Sequence, residues 1–157
     1  RVPRDAVVAF VAKCYDAEAG AFAASPGNDP HLLYTLSGVQ LLLLCGAPPG
    51  AAQRDALARF VAALQQPDGS FHGDAWGEVD TRFTFCALAC LALLGRLDAV
   101  RVDAAAAHVA RCMNFDGGFG VGPRSRCSAA RRVWIHPERN CIGEFRIVIH
   151  HEVFSPV

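Results

Sequence analysis

Apolar positions recur at helical spacing in three separate stretches of the chain. Val7, Phe10, Val11 and Cys14 fall at i, i+3, i+4 and i+7. Leu57, Phe60, Val61 and Leu64 repeat that spacing fifty residues later, and Ala105, His108, Val109 and Cys112 repeat it again after forty-eight more. Residues at these intervals line one stripe of an α-helix, and the stripe must pack against a second element. Asp5 and Asp103 stand near the starts of the first and third of these helices, where a carboxylate meets exposed backbone N–H groups.

Each stripe runs into a glycine-rich turn that closes on an aromatic. The turns are Glu18-Ala19-Gly20-Ala21-Phe22, Asp68-Gly69-Ser70-Phe71 and Asp116-Gly117-Gly118-Phe119. Glycine supplies the tight turn, and the phenylalanine pins the loop back onto the core. A more apolar helix follows in the first two repeats. His31 to Gly46 aligns with Asp80 to Gly95 at a constant offset of forty-nine, and both segments end in glycine. The repeating unit is therefore an αα-hairpin with an amphipathic outer helix, a Gly/Phe turn and an inner helix apolar on all sides. Such an inner helix is expected to be fully buried. Stacked hairpins form an open solenoid or a closed α/α toroid, and periodicity alone does not choose between them.

The third repeat breaks off. Residues 127–132 should open its inner helix, yet no apolar run follows. Arg146-Ile147-Val148-Ile149-His150-His151 alternates as a strand does, and six arginines fall between Arg124 and Arg146. Residues 1–126 are thus assigned to hairpin repeats, near 5–46, 53–96 and 103–126, and residues 127–157 to a divergent, irregular tail. The tail reads as a foreign segment, with a genuine capping segment as the alternative.

Composition narrows the class. Of the 157 residues 52% are hydrophobic, enough for a sizeable core, and fifteen basic residues balance fifteen acidic ones. No net charge favours nucleic acid. The run from Val39 to Cys45 is far short of the ~20 residues that a membrane span needs. Seven cysteines without a C-x-x-C pair, most of them in helical stretches, read as reduced thiols in a cytoplasmic protein. No secretory leader is visible, and the start at Arg1 rather than Met reads as a missing N-terminus.

Three stretches carry a family resemblance. They are Asn28-Asp29-Pro30-His31-Leu32-Leu33-Tyr34-Thr35-Leu36-Ser37, the segment Pro67 to Phe71 continued by Gly73 to Phe83 with its Gly77-Glu78-Val79-Asp80-Thr81-Arg82 core, and Cys112 to Gly120. Over residues 4–120 the chain resembles the β subunits of protein prenyltransferases, of the Rab geranylgeranyl type. The resemblance implies an α/α toroid of six hairpins, of which about two and a half are present. It implies transfer of a C20 isoprenoid from geranylgeranyl diphosphate to C-terminal cysteines of Rab GTPases. It also implies a helical α subunit, an escort protein that presents the Rab, and a zinc ion that activates the acceptor thiol.

Some family positions carry over. Arg82 matches the inner-helix arginine that helps hold the acceptor's carboxylate in farnesyl-type relatives. The bland reading of Arg82 is an ion pair with Asp80 or Glu78 that orders the helix start. Tyr34, Leu36 and Phe85 match residues of the isoprenoid cavity wall, with plain core packing as the alternative. The family's zinc ligands and most of its diphosphate-binding residues map to no position here, so no catalytic or metal residue is assigned and the chain alone is expected to be inactive. A non-catalytic truncated isoform or α-subunit-binding scaffold is the competing reading. Gln65 to Phe71 with Trp76 also resembles the turn repeat of triterpene cyclases, but the Asp-x-Asp-Asp motif of that class does not occur. His136, Cys141, His150 and His151 have the residue types of a zinc site without its spacing. His31 and His72 read as surface or capping residues.

Overall fold

The computed structural model describes residues 3–115, 118–123 and 125, and the backbone of residues 134–139 and 145–150. Helix α1 (Arg4–Lys13) leads through a short antiparallel ribbon, β1 (Tyr15–Asp16) and β2 (Ala21–Phe22), into α2 (Leu32–Leu44). Helices α3 (Ala51–Ala63) and α4 (Thr81–Leu94) form the second hairpin. A single 3-10 turn (Leu97–Ala99) then leads into α5 (Val102–Arg111). In the tail, β3 (Trp134–Arg139) pairs antiparallel with β4 (Phe145–His150), opposing Ile135 to Ile149 and Pro137 to Ile147. The alternation read in residues 146–150 is thus a strand.

The hairpin register follows the sequence repeat closely. His31 caps α2 by accepting the Leu33 N–H on its Nδ1, and Asp80, forty-nine residues on, caps α4 by accepting the Arg82 N–H. Gly46 and Gly95 end the two helices at φ +66° and +67°. Within each hairpin the helices run antiparallel, tied at their open ends by Arg4 to the Cys45 carbonyl and by Arg96 to Asp55. Leu32 N–H donates to the Gly73 carbonyl at 2.8 Å, so α2 and α4 lie side by side with their N-terminal ends together.

Successive hairpins are joined by contacts from each turn to the next outer helix. Gly20 abuts Ala56 of α3, and Gly69 abuts Ala104 of α5. Gly69 has φ +91°, and a Cβ there would overlap the Ala104 carbonyl, so this position takes no other residue. The turn aromatics Phe22, Phe71 and Phe119 are all buried, as anchors of their loops. One hydrophobic core runs from Val11 through both hairpins to Ala105, and a smaller one gathers Val109, Cys112 and Phe119.

The inner helices depart from the sequence expectation. They are not buried on all sides: α2 exposes Tyr34, Leu41 and Leu44, and α4 exposes Phe85 and Leu93. The reason is positional. In a stacked array an inner helix is covered laterally by its inner neighbours, and among the described residues α2 has only α4 and α4 has only α2. No helix of the described residues is long and apolar enough to cross a membrane. The absence of an inner-helix opening at residues 127–132, and the side chains of His136, Cys141, His150 and His151, lie outside the described residues.

Candidate functional site

The N-terminal ends of α2 and α4 bring the chemistry-bearing side chains together. Asp80 is buried and uses both carboxylate oxygens: Oδ1 accepts the Arg82 N–H at 2.9 Å, and Oδ2 pairs with the Arg82 guanidinium at 2.9 Å. The cap and the ion pair share one residue because Asp80 and Arg82 flank the first helical turn. That hydrogen bond to Asp80 raises the Arg82 pKa above its ordinary value. The guanidinium is half exposed at the rim, so the ion pair with Asp80 leaves part of its donor fork open.

Along α4, Phe85 follows Arg82 by one helical step and is 41% exposed, whereas Leu36 of α2, forty-nine residues earlier, is 6% exposed. Tyr34 is 44% exposed, and its repeat equivalent Phe83 is 0% exposed. The two pairs invert although their repeat positions match: Leu36 and Phe83 lie in the core shared by α2 and α4, Phe83 edge-on to His31 at 5.4 Å between ring centroids. The sequence equivalence of Leu36 and Phe85 therefore does not place them on one surface. Leu36 belongs to the core, while Tyr34 and Phe85 present apolar rings on the two flanks of the helix pair.

Tyr34 lines two hollows. One, of about 490 Å³, lies over the loops before α2 and α4 and is lined by Asn28, Asp29, His31, Asp74 and Trp76 among others. Trp76 is 82% exposed and fixed by its indole N–H to Asp29 at 3.4 Å and its backbone N–H to Asp74 at 2.9 Å. The second, of about 90 Å³, is apolar and runs between Phe10, Cys14, Phe22 and Leu41. Arg82, Leu36 and Phe85 line neither. The larger hollow escaped the sequence reading; its signal was the Trp76 in a glycine-rich loop close to acidic residues.

His31, Asp74 and Glu78 are the one group of potential metal ligands among the described residues, with ligand atoms within 4.8 Å of one another. The zinc that the family resemblance implies does not fit them. His31 Nδ1 is occupied by the Leu33 N–H, so the neutral ring carries its proton on Nε2, which faces Glu78 at 3.3 Å. Binding a cation through Nε2 would move that proton to Nδ1 and break the helix cap. No thiolate stands in the group either. The free thiols Cys86 and Cys90 are pushed up by burial, to about 11 and about 12, and behave as core residues.

Stacked αα-hairpins, buried turn aromatics and a carboxylate-fixed arginine at the inner-helix rim define an α/α toroid domain. The chain belongs to the prenyltransferase α/α toroid family, whose domain matches residues 1–131. It is 45% identical over 154 residues to the geranylgeranyl transferase type-2 subunit beta of Saccharomyces cerevisiae, an alignment covering 97% of this chain and 46% of that protein. It is 40% identical to the Candida albicans protein of the same name, over 90% of this chain and 43% of that one. The fold matches a solved structure of Candida albicans protein geranylgeranyltransferase-I complexed with GGPP at a TM-score of 0.73 and 17% identity, over 83% of this chain and 41% of that chain. The chain spans less than half the length of the curated relatives it matches.

Proposed function

We propose that this chain is part of the β subunit of a protein geranylgeranyltransferase acting on Rab GTPases. The supporting observation is the 45% identity to a type-2 β subunit, which runs over nearly the whole chain. The geometry agrees with it: α4 carries a rim arginine and then an exposed aromatic on one helix face. In this reading the C20 chain of geranylgeranyl diphosphate packs against the apolar flank that carries Phe85, Tyr34 supplies the wall on the opposite flank of the helix pair, and Leu36 lies in the core between them. Arg82 holds the acceptor's C-terminal carboxylate through the donors that Asp80 leaves open. The α subunit, the escort protein and the zinc that generates the acceptor thiolate belong to the complete enzyme. The 157 residues alone bind without turning over. Residues 127–157 are taken as a divergent tail.

Co-expression with a type-2 α subunit tests this reading. A fluorescent geranylgeranyl diphosphate analogue should bind, Phe85→Asp should weaken that binding, and Rab transfer should be undetectable. Association with the α subunit but no analogue binding would favour the non-catalytic scaffold. Failure of both would overturn the assignment.

A further inference from the structure

We propose that the junction between the second turn and α5 is an acid-sensitive latch: His108, wedged uncharged between Asp68 and Cys112, releases the end of α5 and unmasks the Cys112 thiol when it takes up a proton. His108 occupies an apolar-stripe position of α5 and is 1% exposed. Its Nε2 lies 3.4 Å from Cys112 Sγ, one helical turn on, and its Nδ1 lies 3.4 Å from Asp68 Oδ2, across the hairpin boundary, a long contact poorly aligned for a hydrogen bond.

The two ring nitrogens fix the protonation state that fits. With the proton on Nδ1, facing Asp68, Nε2 accepts from the Cys112 thiol. Burial raises the Cys112 pKa, so that group stays a thiol and a donor. A second proton on Nε2 would face the thiol, a poor acceptor, and leave a buried cation with one long contact to a half-exposed carboxylate.

The other charges around the ring do not remove this cost. Among the described residues the groups facing it are Asp68 from the turn, with Arg111 and Cys112 from its own end of α5. From helix α4 the Thr81 hydroxyl meets Cys112 rather than the ring, and it donates to the Gly120 carbonyl at 2.6 Å. Asp68 favours the imidazolium and Arg111 opposes it, while desolvation outweighs both and holds the His108 pKa below its ordinary value. Asp68 is itself kept below the usual carboxylate range, chiefly by the Ser70 hydroxyl, so it stays ionised while His108 titrates. A base with a depressed folded pKa contributes full stability above its unfolded pKa of about 6.5, and that contribution fades as pH falls through the folded value.

The opening has a hinge. Arg101, at the start of α5, is tied to Gln65, Gln66 and Pro67 through backbone and guanidinium, and none of these bonds titrates in this range. The far end is held by the Arg111 guanidinium on the Asp68 carbonyl and by the packing of His108 and Cys112. Protonation therefore loosens residues 108–112 while the Arg101 end stays docked.

The test is peptide-mapped thiol labelling of the 157-residue chain with 4,4′-dithiodipyridine between pH 7.5 and 5. Half-exposed Cys45 serves as internal reference, so the rate ratio cancels the common thiolate dependence. The Cys112 to Cys45 ratio should rise on acidification, by about tenfold for each unit by which burial depresses the imidazole. Asp68→Asn keeps the acceptor for Ser70 and removes the charge that favours the imidazolium, so the rise should begin at the same pH but continue further down the pH scale to a higher ratio. His108→Gln should give a ratio without pH dependence. A flat wild-type ratio overturns the latch, as does an Asp68→Asn profile that overlays the wild type or an acid rise that persists in His108→Gln.

Discussion

The side-chain amide of Gln65 grips the backbone of Arg101 at two points, its Oε1 accepting the Arg101 N–H at 2.9 Å and its Nε2 donating to the Arg101 carbonyl at 3.0 Å. A residue that closes the second hairpin's outer helix thus docks the start of the third. The amide is suited because it offers a donor and an acceptor side by side, matching one residue's backbone pair.

Gln65→Ala should therefore loosen the boundary between hairpins without touching the core. We expect a loss of about 1–3 kcal/mol in urea unfolding, the net worth of two hydrogen bonds. Gln65→Glu keeps the acceptor and loses the donor, and should fall between the two. Equal stability of all three proteins would show that the pair contributes nothing.

Two threonines forty-nine residues apart should respond in opposite ways. Thr35 Oγ1 accepts the Phe22 N–H at 3.1 Å, anchoring the first turn, whereas the Thr84 hydroxyl is buried without a hydrogen-bond partner among the described residues. Thr35→Val should cost about 1–3 kcal/mol, since it strands a buried N–H. Thr84→Val keeps the shape and removes an uncompensated polar group, so it should be neutral or stabilising by up to ~2 kcal/mol. Urea midpoints measured side by side decide the point.

Leu36 and Phe85 should likewise separate stability from ligand contact. Leu36→Ala opens a cavity in the shared core and should cost about 2–5 kcal/mol. Phe85→Ala removes a ring that already meets solvent, at roughly half that cost or less. If the proposed function holds, Phe85→Ala weakens isoprenoid binding far more than it weakens the fold. Calorimetric Tm beside analogue affinity for each variant reads both effects.

The hairpins were legible because two periods coincide, the helical one within each stripe and the repeat of about fifty residues between stripes. That sufficed to place α1 to α5, the starts of the inner-helix segments at His31 and Asp80 and their ends at Gly46 and Gly95. The different fates of Leu36 and Phe85 were not legible, because repeat position fixes which way a side chain points but not whether a neighbour is there to cover it. The first turn also pairs Tyr15 with Phe22, where the second pairs Gln65 with Phe71, so it holds one residue more. That insertion shifts the offset from fifty to forty-nine, and backbone pairing is needed to see where it falls. Of the site, the sequence placed Arg82 beside Asp80. The polar hollow under Trp76 depends on two loops meeting, and no local pattern encodes that.

Because each glycine turn seats on the outer helix that follows it, the contacts that complete one hairpin are supplied by residues not yet made when that hairpin leaves the ribosome. Gly20 waits for Ala56, and Gly69 waits for Ala104. At about 5–20 residues per second, a finished helix pair stands with one side unsealed for roughly 0.5–2 seconds. Synthesis thus imposes a lag of one outer helix between translation and docking, and any factor that shields nascent apolar surface would meet this chain at its latest, still unsealed hairpin.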